Sequence, residues 1–368
     1  MEKKKIAFFI SSYFDGIGVN TLRLAEQFSK QGYHVDLLIV KNEIDLINKN
    51  TNINIIDFKK NSAYKSIYQL VNYIKKHEPD VLISGGEAPN IVLILVKLYL
   101  FNKNFKTIVS IRTHLTTQYK HTKTLNQTVL KYLGKVFYRF ADEIVAVSKG
   151  VAEDVSELFF IRRDRIKVIY NPIVNNEMLK LSEERVDHPW IVDKQVPVIL
   201  GAGRLAKQKN FPLLINAFSI IKNEIDAKLI ILGEGEARGK LEKLIKEEQL
   251  NESVDLVGYE PNPYKYMKNS DVFVLSSEWE GFGNVIVEAM ACGAKVVSRD
   301  CYSGPAEILK NGEYGILIKE NNPQELAKGI MMSIKKDNIE RTKNIKRANK
   351  YSTKSTMYKY EQLINRKS

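Results

Sequence analysis

The chain has 368 residues, 44% of them apolar and 27% charged, with only 20 Gly and 10 Pro, which excludes a disordered, collagen-like or multi-span membrane chain and allows two globular domains. Its two cysteines, Cys292 and Cys301, exclude a disulfide scaffold and, by themselves, a thiolate zinc site. The formal net charge is +13, and residues 1–180 hold 27 Lys and Arg against 17 Asp and Glu, so the first half is expected to meet something anionic: phosphates, nucleic acid or a membrane surface.

In chain order, Lys5–Ile10 reads as a buried strand. Lys3, Lys4 and Lys5 precede it as in an export signal, but the apolar run is too short for one. A loop with Gly16 and Gly18 leads into a helix over Val19–Lys30, Gly32 stops it, and Val35–Val40 is a second strand, which completes a strand–helix–strand unit. Further strands are expected at Ile53–Ile56, Val81–Ser84, Thr107–Ile111, Glu143–Val147 and Val168–Tyr170, with Ser148 as an N-cap. Residues 176–195 are polar and read as a linker. A second series follows: strands at Val198–Leu200, Lys228–Leu232, Val254–Leu256, Val272–Leu275, Lys295–Ser298 and Gly315–Ile318, with helices such as Asn210–Lys222 and Ala237–Glu248 between them. The alternation predicts two α/β domains with parallel sheets, over 1–175 and 196–350, followed by a helical segment in 351–368. Ligands of such folds bind at the carboxyl ends of strands, and a cleft between two domains is the expected site.

Four strand-to-helix loops hold the candidate chemistry. Phe14-Asp15-Gly16-Ile17-Gly18 is a glycine pair that suits either a phosphate at a helix start or a tight turn needing positive φ; it is neither a complete G-x-G-x-x-G nor a P-loop. Gly203-Arg204 through Lys209-Asn210 sets two cations beside free backbone amides, which suits a diphosphate, or a solvated basic loop. Glu280-Gly281-Phe282-Gly283-Asn284-Val285 with Glu288 offers exposed amides and two carboxylates that accept hydrogen bonds from vicinal hydroxyls. Glu288 alone also fits a first-turn acid favoured by the helix dipole. Tyr302-Ser303-Gly304-Pro305 offers Ser303 as a cap and Pro305 as a first helical residue. His114 follows the strand Thr107–Ile111 with Arg112 before it, a setting His34, His77, His121 and His188 lack. No ligand cluster for a metal accompanies the carboxylates.

Gly203-Arg204 through Lys209-Asn210, Glu280-x7-Glu288 and Gly304-Pro305-Ala306-Glu307-Ile308, in that order and spacing, resemble the retaining glycosyltransferases of family 4. The resemblance covers nearly the whole chain. It implies the GT-B fold: two Rossmann-like domains with parallel sheets facing a central cleft, the last helix crossing back to the first domain. It implies a transferase that moves a sugar from a nucleotide-diphosphate sugar, a UDP-sugar in most similar members, to a glycan or polyprenyl-diphosphate-linked acceptor in capsule, exopolysaccharide or other surface polysaccharide synthesis. By position, Arg204 and Lys209 match the residues on the diphosphate, Glu288 the glutamate on the ribose and Glu280 the one facing the donor sugar. The amides of Phe282, Gly283, Asn284 and Val285 would meet sugar and phosphate, and Gly16 and Gly18 would lie over the diphosphate. His114 looks like the family's cleft histidine. Catalysis is then expected from Glu280, Arg204, Lys209 and His114 without a metal or other cofactor, by attack on the face the diphosphate leaves. A UDP-sugar epimerase of the same fold is the rival reading. A nucleic-acid-binding protein is a weaker one, since no finger, helix-turn-helix or RNA-recognition signature accompanies the charge, so nucleic acid is not an expected partner.

Between Ala88 and Ala141 there is no acidic residue, while nine cations fall there. Lys123, Lys131, Lys135 and Arg139 share one stripe of an expected helix, and Leu125, Val129, Leu133, Val136, Phe137 and Phe140 fall largely on another face. That pattern fits either a basic amphipathic helix on an anionic membrane surface or a core-packing helix with a solvated basic face. A cytoplasmic enzyme, peripheral at the inner face of the membrane, is the expectation.

Overall fold

The computed structural model describes residues 3–13, 16–41, 53–121, 124–335 and 341–366. The chain divides into two compact units, Met1–Pro172 with Thr353–Ser368, and Ile173–Ser352.

In unit 1, β1 (Lys5–Ile10), α1 (Gly16–Lys30), β2 (His34–Ile39), β3 (Asn54–Asp57), α2 (Ile67–His77), β4 (Val81–Gly85), α3 (Glu87–Tyr99), β5 (Lys106–Ile111), α4 (Leu115–His121), α5 (Leu125–Phe137), β6 (Glu143–Ala146), α6 (Lys149–Phe159) and β7 (Ile166–Val168) follow in turn. Among the described residues the sheet has seven strands, all parallel, in the order β3-β2-β1-β4-β5-β6-β7. The buried runs on β1, β4 and β5 are continuous rather than alternating because helices cover both faces of a parallel sheet. Ser148 caps α6 by accepting from the Val151 amide at 3.1 Å. β7 lies two residues earlier than the sequence reading set it, since Ile166 is the residue that pairs with Ile144.

Unit 2 contains α7 (Asn176–Ser182), α8 (Pro189–Val192), β8 (Val198–Ala202), α9 (Phe211–Glu224), β9 (Lys228–Leu232), α10 (Arg238–Glu247), β10 (Val254–Gly258), α11 (Pro263–Asn269), β11 (Val272–Leu275), α12 (Asn284–Ala291), β12 (Lys295–Arg299), α13 (Pro305–Ile308), β13 (Ile316–Ile318), α14 (Pro323–Lys335) and α15 (Arg341–Ala348). Its six described strands are parallel in the order β10-β9-β8-β11-β12-β13. The core gathers Ile199, Leu229, Ile231 and Val274 against Leu214, Phe218 and Leu326.

The stretch 176–195 is not a linker. It forms α7 and α8 within unit 2. The Asn175 side chain caps α7 by accepting from the Met178 amide at 2.8 Å, Met178 and Val186 are buried, and His188 stands 3.1 Å from Asp255. The polar residues that suggested a linker are exposed on α7 and on the turns before and after α8.

The last helix, α16 (Thr353–Asn365), belongs to unit 1, where Tyr360, Leu363 and Ile364 join Leu24 and Phe28 in one core cluster. Among the described residues no helix is long and apolar enough to cross a membrane.

Each sheet changes direction of winding next to its first strand. β1 lies between β2 and β4, and β8 lies between β9 and β11. The crevice outside the carboxyl ends at such a switch is where open parallel sheets take ligands. In unit 1 that edge receives the start of α1, where Gly16 and Gly18 lie in the first turn rather than in the loop expected from the sequence. Neither glycine has a positive φ, which removes the tight-turn reading. Gly18 is required by closeness: a Cβ there would overlap the Tyr13 carbonyl and stand 2.6 Å from that of Ser12. Gly18→Ala is therefore expected to lower stability by about 1–3 kcal/mol through forced separation of α1 from the end of β1, read as a lower thermal midpoint. An unchanged midpoint contradicts the packing role.

Candidate functional site

The site of unit 2 is assembled where β8 and β11 end. After Ala202 the chain runs through Gly203 and the exposed Arg204, turns through Lys207–Lys209 and enters α9 at Asn210 in left-handed backbone. This turn is tied to the loop after β11 at several points. The Glu278 amide donates to the Gln208 carbonyl at 2.8 Å, the Gln208 side chain donates to the Trp279 carbonyl at 2.8 Å, and Ser276 Oγ donates to the Lys209 carbonyl at 2.8 Å. Those bonds carry Lys209 Nζ to 2.6 Å from Glu280 Oε1, which also accepts from Ser277 Oγ at 2.7 Å. Both partners are largely buried, so removing either one strands a charge away from water. Arg204 has no ion-pair partner among the described residues.

Glu280 is 7% exposed and Glu288, in the second turn of α12, is 9% exposed. Gly283 stands at the N-terminus of α12, and Asn284, Val285 and Ile286 form its first turn. Gly281, Phe282, Gly283, Asn284 and Val285 thus set backbone amides at a helix start, the partly positive end of its dipole. Phe282 is buried edge-on against Tyr351 at 5.2 Å between ring centres. The neighbouring loop supports that turn from behind. Gly304 has φ +99° and a Cβ there would overlap the Phe282 carbonyl, so only glycine fits. Ser303 does not cap α13. Gly304 holds the cap position, and Ser303 sits at φ +67° with its buried hydroxyl unpartnered.

Two neighbours of the site were not singled out from the sequence. Gly233 and Gly235, after β9, lie so close to the Gly203–Leu205 turn that a Cβ on either would overlap the carbonyl of Gly203 or Leu205. Glu234 between them accepts the Leu205 amide at 2.8 Å through its carbonyl. The G-x-G after a strand was the available signal. Cys292 and Cys301 flank the carboxylates: burial first, then Glu288, pushes the Cys292 thiol up to about 12, and burial, then Glu280, pushes that of Cys301 upward as well. They are inert neighbours of the site. A cavity of about 500 Å³ lies elsewhere in unit 2, beside Gly293, Lys295, Gly312 and Tyr314, and none of the candidate residues lines it.

At the carboxyl edge of unit 1, His114 precedes α4. Its Nδ1 is 3.0 Å from Thr117 Oγ1 and 3.5 Å from Asp154 Oδ1. Asp154, from α6, also accepts the Leu115 amide at 2.6 Å and so holds the start of α4. Glu87 opens α3, directly after Gly85 and Gly86, and accepts from the Tyr119 hydroxyl. Arg112 donates to Asn171 Oδ1 at 3.4 Å. Asp154 and Glu87 look like surface acids in the sequence; only the fold brings them beside His114 and Tyr119. Gly16 begins α1 and Gly18 lies buried within it, while Phe14 and Asp15 lie outside the described residues. Among the described residues no group of three His, Cys, Asp or Glu side chains could hold a metal ion.

With this geometry in place, comparison with known proteins gives the class. A family model described as Glycosyltransferase Family 4 matches residues 14–176, and one described as Glycosyl transferases group 1 matches residues 183–351. An uncharacterised glycosyltransferase of Methanocaldococcus jannaschii is 32% identical over 274 residues, 69% of this chain and 67% of that one. The N-acetylgalactosamine-N,N'-diacetylbacillosaminyl-diphospho-undecaprenol 4-alpha-N-acetylgalactosaminyltransferase of Campylobacter jejuni is 34% identical over 251 residues, 68% of this chain and 66% of that one. Among solved structures, Anabaena HepE in complex with UDP superimposes with a TM-score of 0.80 at 19% identity, covering 98% of this chain and 99% of that one; HepE is also solved with UDP-glucose. The fold is that of the GT-B glycosyltransferases. The chain belongs to the glycosyltransferase family 4 and group 1 enzymes, and it is a glycosyltransferase.

Glu87 gives unit 1 a pH signature. Its carboxyl is pushed up to about 7 by burial, against the Tyr119 hydrogen bond and with help from the Asp154 charge. The folded protein thus keeps a proton that the unfolded chain releases near 4.5, and stability falls as pH rises from about 4.5 to about 7. Glu87→Gln keeps an acceptor for Tyr119 without the charge. It is expected to be more stable than wild type at pH 8 by about 3 kcal/mol and little different at pH 4.5, measured by denaturant unfolding. A difference that does not change with pH contradicts the assignment.

Proposed function

We propose that the enzyme transfers a sugar from a UDP-sugar, with retention of anomeric configuration, to a glycan or polyprenyl-diphosphate-linked acceptor in surface polysaccharide synthesis at the cytoplasmic face of a membrane. The observation that carries the donor half is the convergence of Arg204, Lys209 and the amide-rich start of α12 at the sheet's switch point. A diphosphate leaving group gains negative charge as its bond to the sugar breaks, and fixed cations and backbone N–H groups stabilise that charge without reorganising. HepE, solved with UDP and UDP-glucose, supports a uridine nucleotide, and the Campylobacter relative, named for a diphospho-undecaprenol substrate, supports a lipid-linked acceptor.

In this reading Glu288 accepts from the ribose hydroxyls and Glu280 from hydroxyls of the donor sugar. The amides of Phe282 to Val285 meet sugar and phosphate. The acceptor oxygen bonds to the anomeric carbon on the face from which the diphosphate departs. Its proton passes to the departing phosphate oxygen, so charge balances without an external base. His114, whose Nδ1 lies beside Thr117 and Asp154, is assigned to the acceptor in this reading. In this reading no metal is required, and activity is expected to persist in excess chelator; loss of activity there contradicts it.

Lys209 has a structural duty as well as a chemical one. Lys209→Ala leaves Glu280 buried without its cation and is expected to lower both stability and turnover. In the double variant Lys209→Ala/Glu280→Gln the stability is expected to return, while kcat stays down by about 100-fold, the usual cost of one preorganised donor. Full turnover in a folded double variant contradicts the role on the diphosphate. The two glutamates separate by ligand. Glu288→Gln is expected to weaken UDP by roughly tenfold, in line with a charge-assisted hydrogen bond, whereas Glu280→Gln spares UDP and weakens the intact donor. Calorimetric titration reads both, and a Glu288→Gln enzyme that binds UDP like wild type contradicts the ribose contact. Incubation with a UDP-sugar alone tests the epimerase alternative, which predicts conversion without acceptor.

A further inference from the structure

α5 has two apolar faces, and its packing uses only one. On the inner face Gly134 meets the Phe159 ring, where a Cβ would stand 2.6 Å from Cζ, and the buried Tyr138 stacks on the same ring at 5.0 Å. On the outer face Leu125, Val129, Tyr132 and Val136 are 82, 45, 64 and 52% exposed. Their spacing of four, three and four residues makes them one stripe along the helix, and Phe140, in the short 3-10 turn that follows, is 47% exposed. A helix docked on a soluble core normally turns polar residues outward. This one turns out leucine, valine and aromatic rings. Phe160, 80% exposed at φ +55° just after α6, extends the patch: Lys135 Nζ lies 5.3 Å from its ring centre and 6.0 Å from that of Tyr132. In the same unit Tyr99 and Phe101, at the end of α3, are 68 and 85% exposed.

Charge selects the partner. Lys131, Lys135 and Arg139 recur at four-residue steps along one margin of the stripe, and Arg139 folds back to donate to the Lys135 carbonyl at 2.8 Å. Lys123, the fourth cation of the stripe read from the sequence, lies outside the described residues. No acidic residue occurs from Ala88 to Ala141. Lysine is depleted in protein–protein interfaces. A second copy docked on the same face would bring cation against cation. An apolar stripe with aromatic rings and a one-sided lysine and arginine margin matches the boundary between acyl chains and anionic headgroups.

We propose that the outer face of α5, with Phe160, is a docking surface for an anionic lipid bilayer, in which Leu125, Val129, Tyr132 and Val136 enter the headgroup–acyl boundary and Lys131, Lys135 and Arg139 meet lipid phosphates. The proposal deepens the acceptor reading above and rests on it only for why the enzyme goes to a membrane. Its test needs neither donor nor turnover, so failure of either reading is seen separately.

The test is co-sedimentation of the full chain with phosphatidylcholine vesicles and with vesicles also containing phosphatidylglycerol, at low and high salt. The variants are Lys131→Ser/Lys135→Ser/Arg139→Ser and Leu125→Ser/Val129→Ser/Tyr132→Ser/Val136→Ser. All these positions lie outside the core, and an unchanged melting midpoint and circular-dichroism spectrum verify that each variant is folded. Wild type is expected to partition onto the anionic vesicles at low salt and to be released by high salt. The triple variant is expected to lose on the order of 100-fold in partitioning, since each cation near an anionic surface contributes about fivefold. The serine variant is expected to lose binding to both vesicle types. Wild-type recovery no greater on anionic than on neutral vesicles, or recovery unchanged in either variant, overturns the proposal. A dimer seen by light scattering that the serine variant abolishes, without vesicle binding, overturns it in favour of a second copy.

Discussion

Lys209 and Glu280 meet at 2.6 Å where β8 and β11 end, and the local architecture of unit 2 follows from keeping that pair together. A buried lysine–carboxylate pair is costly to desolvate and is worth holding only in a fixed geometry with its other hydrogen bonds satisfied. Ser277 supplies one of those bonds, and Ser276, Gln208 and Glu278 tie the two loops along their backbones. The pair therefore works as a hinge pin between two strand-to-helix turns. It fixes where Arg204 projects from one and where the amides of α12 open from the other.

Behind that pair, backbones are packed against backbones. Gly233 and Gly235 lie against the Gly203–Leu205 turn, and Gly304 lies against the Phe282 carbonyl. Such closeness leaves no room for side chains and holds the turns tightly against one another. In the proposed reaction charge grows on a leaving diphosphate, and donors already in place would stabilise it. The same logic explains two buried cysteines next to the carboxylates: small, protonated thiols fill space there without adding charge.

The two-sheet organisation was legible from the sequence because most strands are short apolar runs and most of the loops that follow them are marked by Gly, Ser or Asn. The candidate loops were legible for the same reason: they lie at the strand ends, where periodicity breaks. Residues 176–195 were misread because the segment buries few side chains, Met178, Val186 and His188 among them, beneath a charged exterior. The salt bridge of Lys209 with Glu280, and the grouping of His114, Asp154, Glu87 and Tyr119, were not legible, because both depend on pairings between elements far apart in the chain. α5 was half legible. Its apolar and basic residues were visible, but the sequence could not say that Leu125, Val129, Val136 and Phe140 face outward while Gly134 packs inside.

The central claim is that the turn after β8 and the start of α12 hold a nucleotide by its diphosphate. Calorimetric titration of wild type and Arg204→Ala with uridine, UMP and UDP tests it most directly, because the three ligands differ only in phosphate. Affinity is expected to rise with each phosphate in wild type, and Arg204→Ala to narrow the gap between UDP and uridine while leaving uridine itself unchanged. Equal affinity of wild type for uridine and UDP, or an Arg204→Ala enzyme with the wild-type gap, would contradict it.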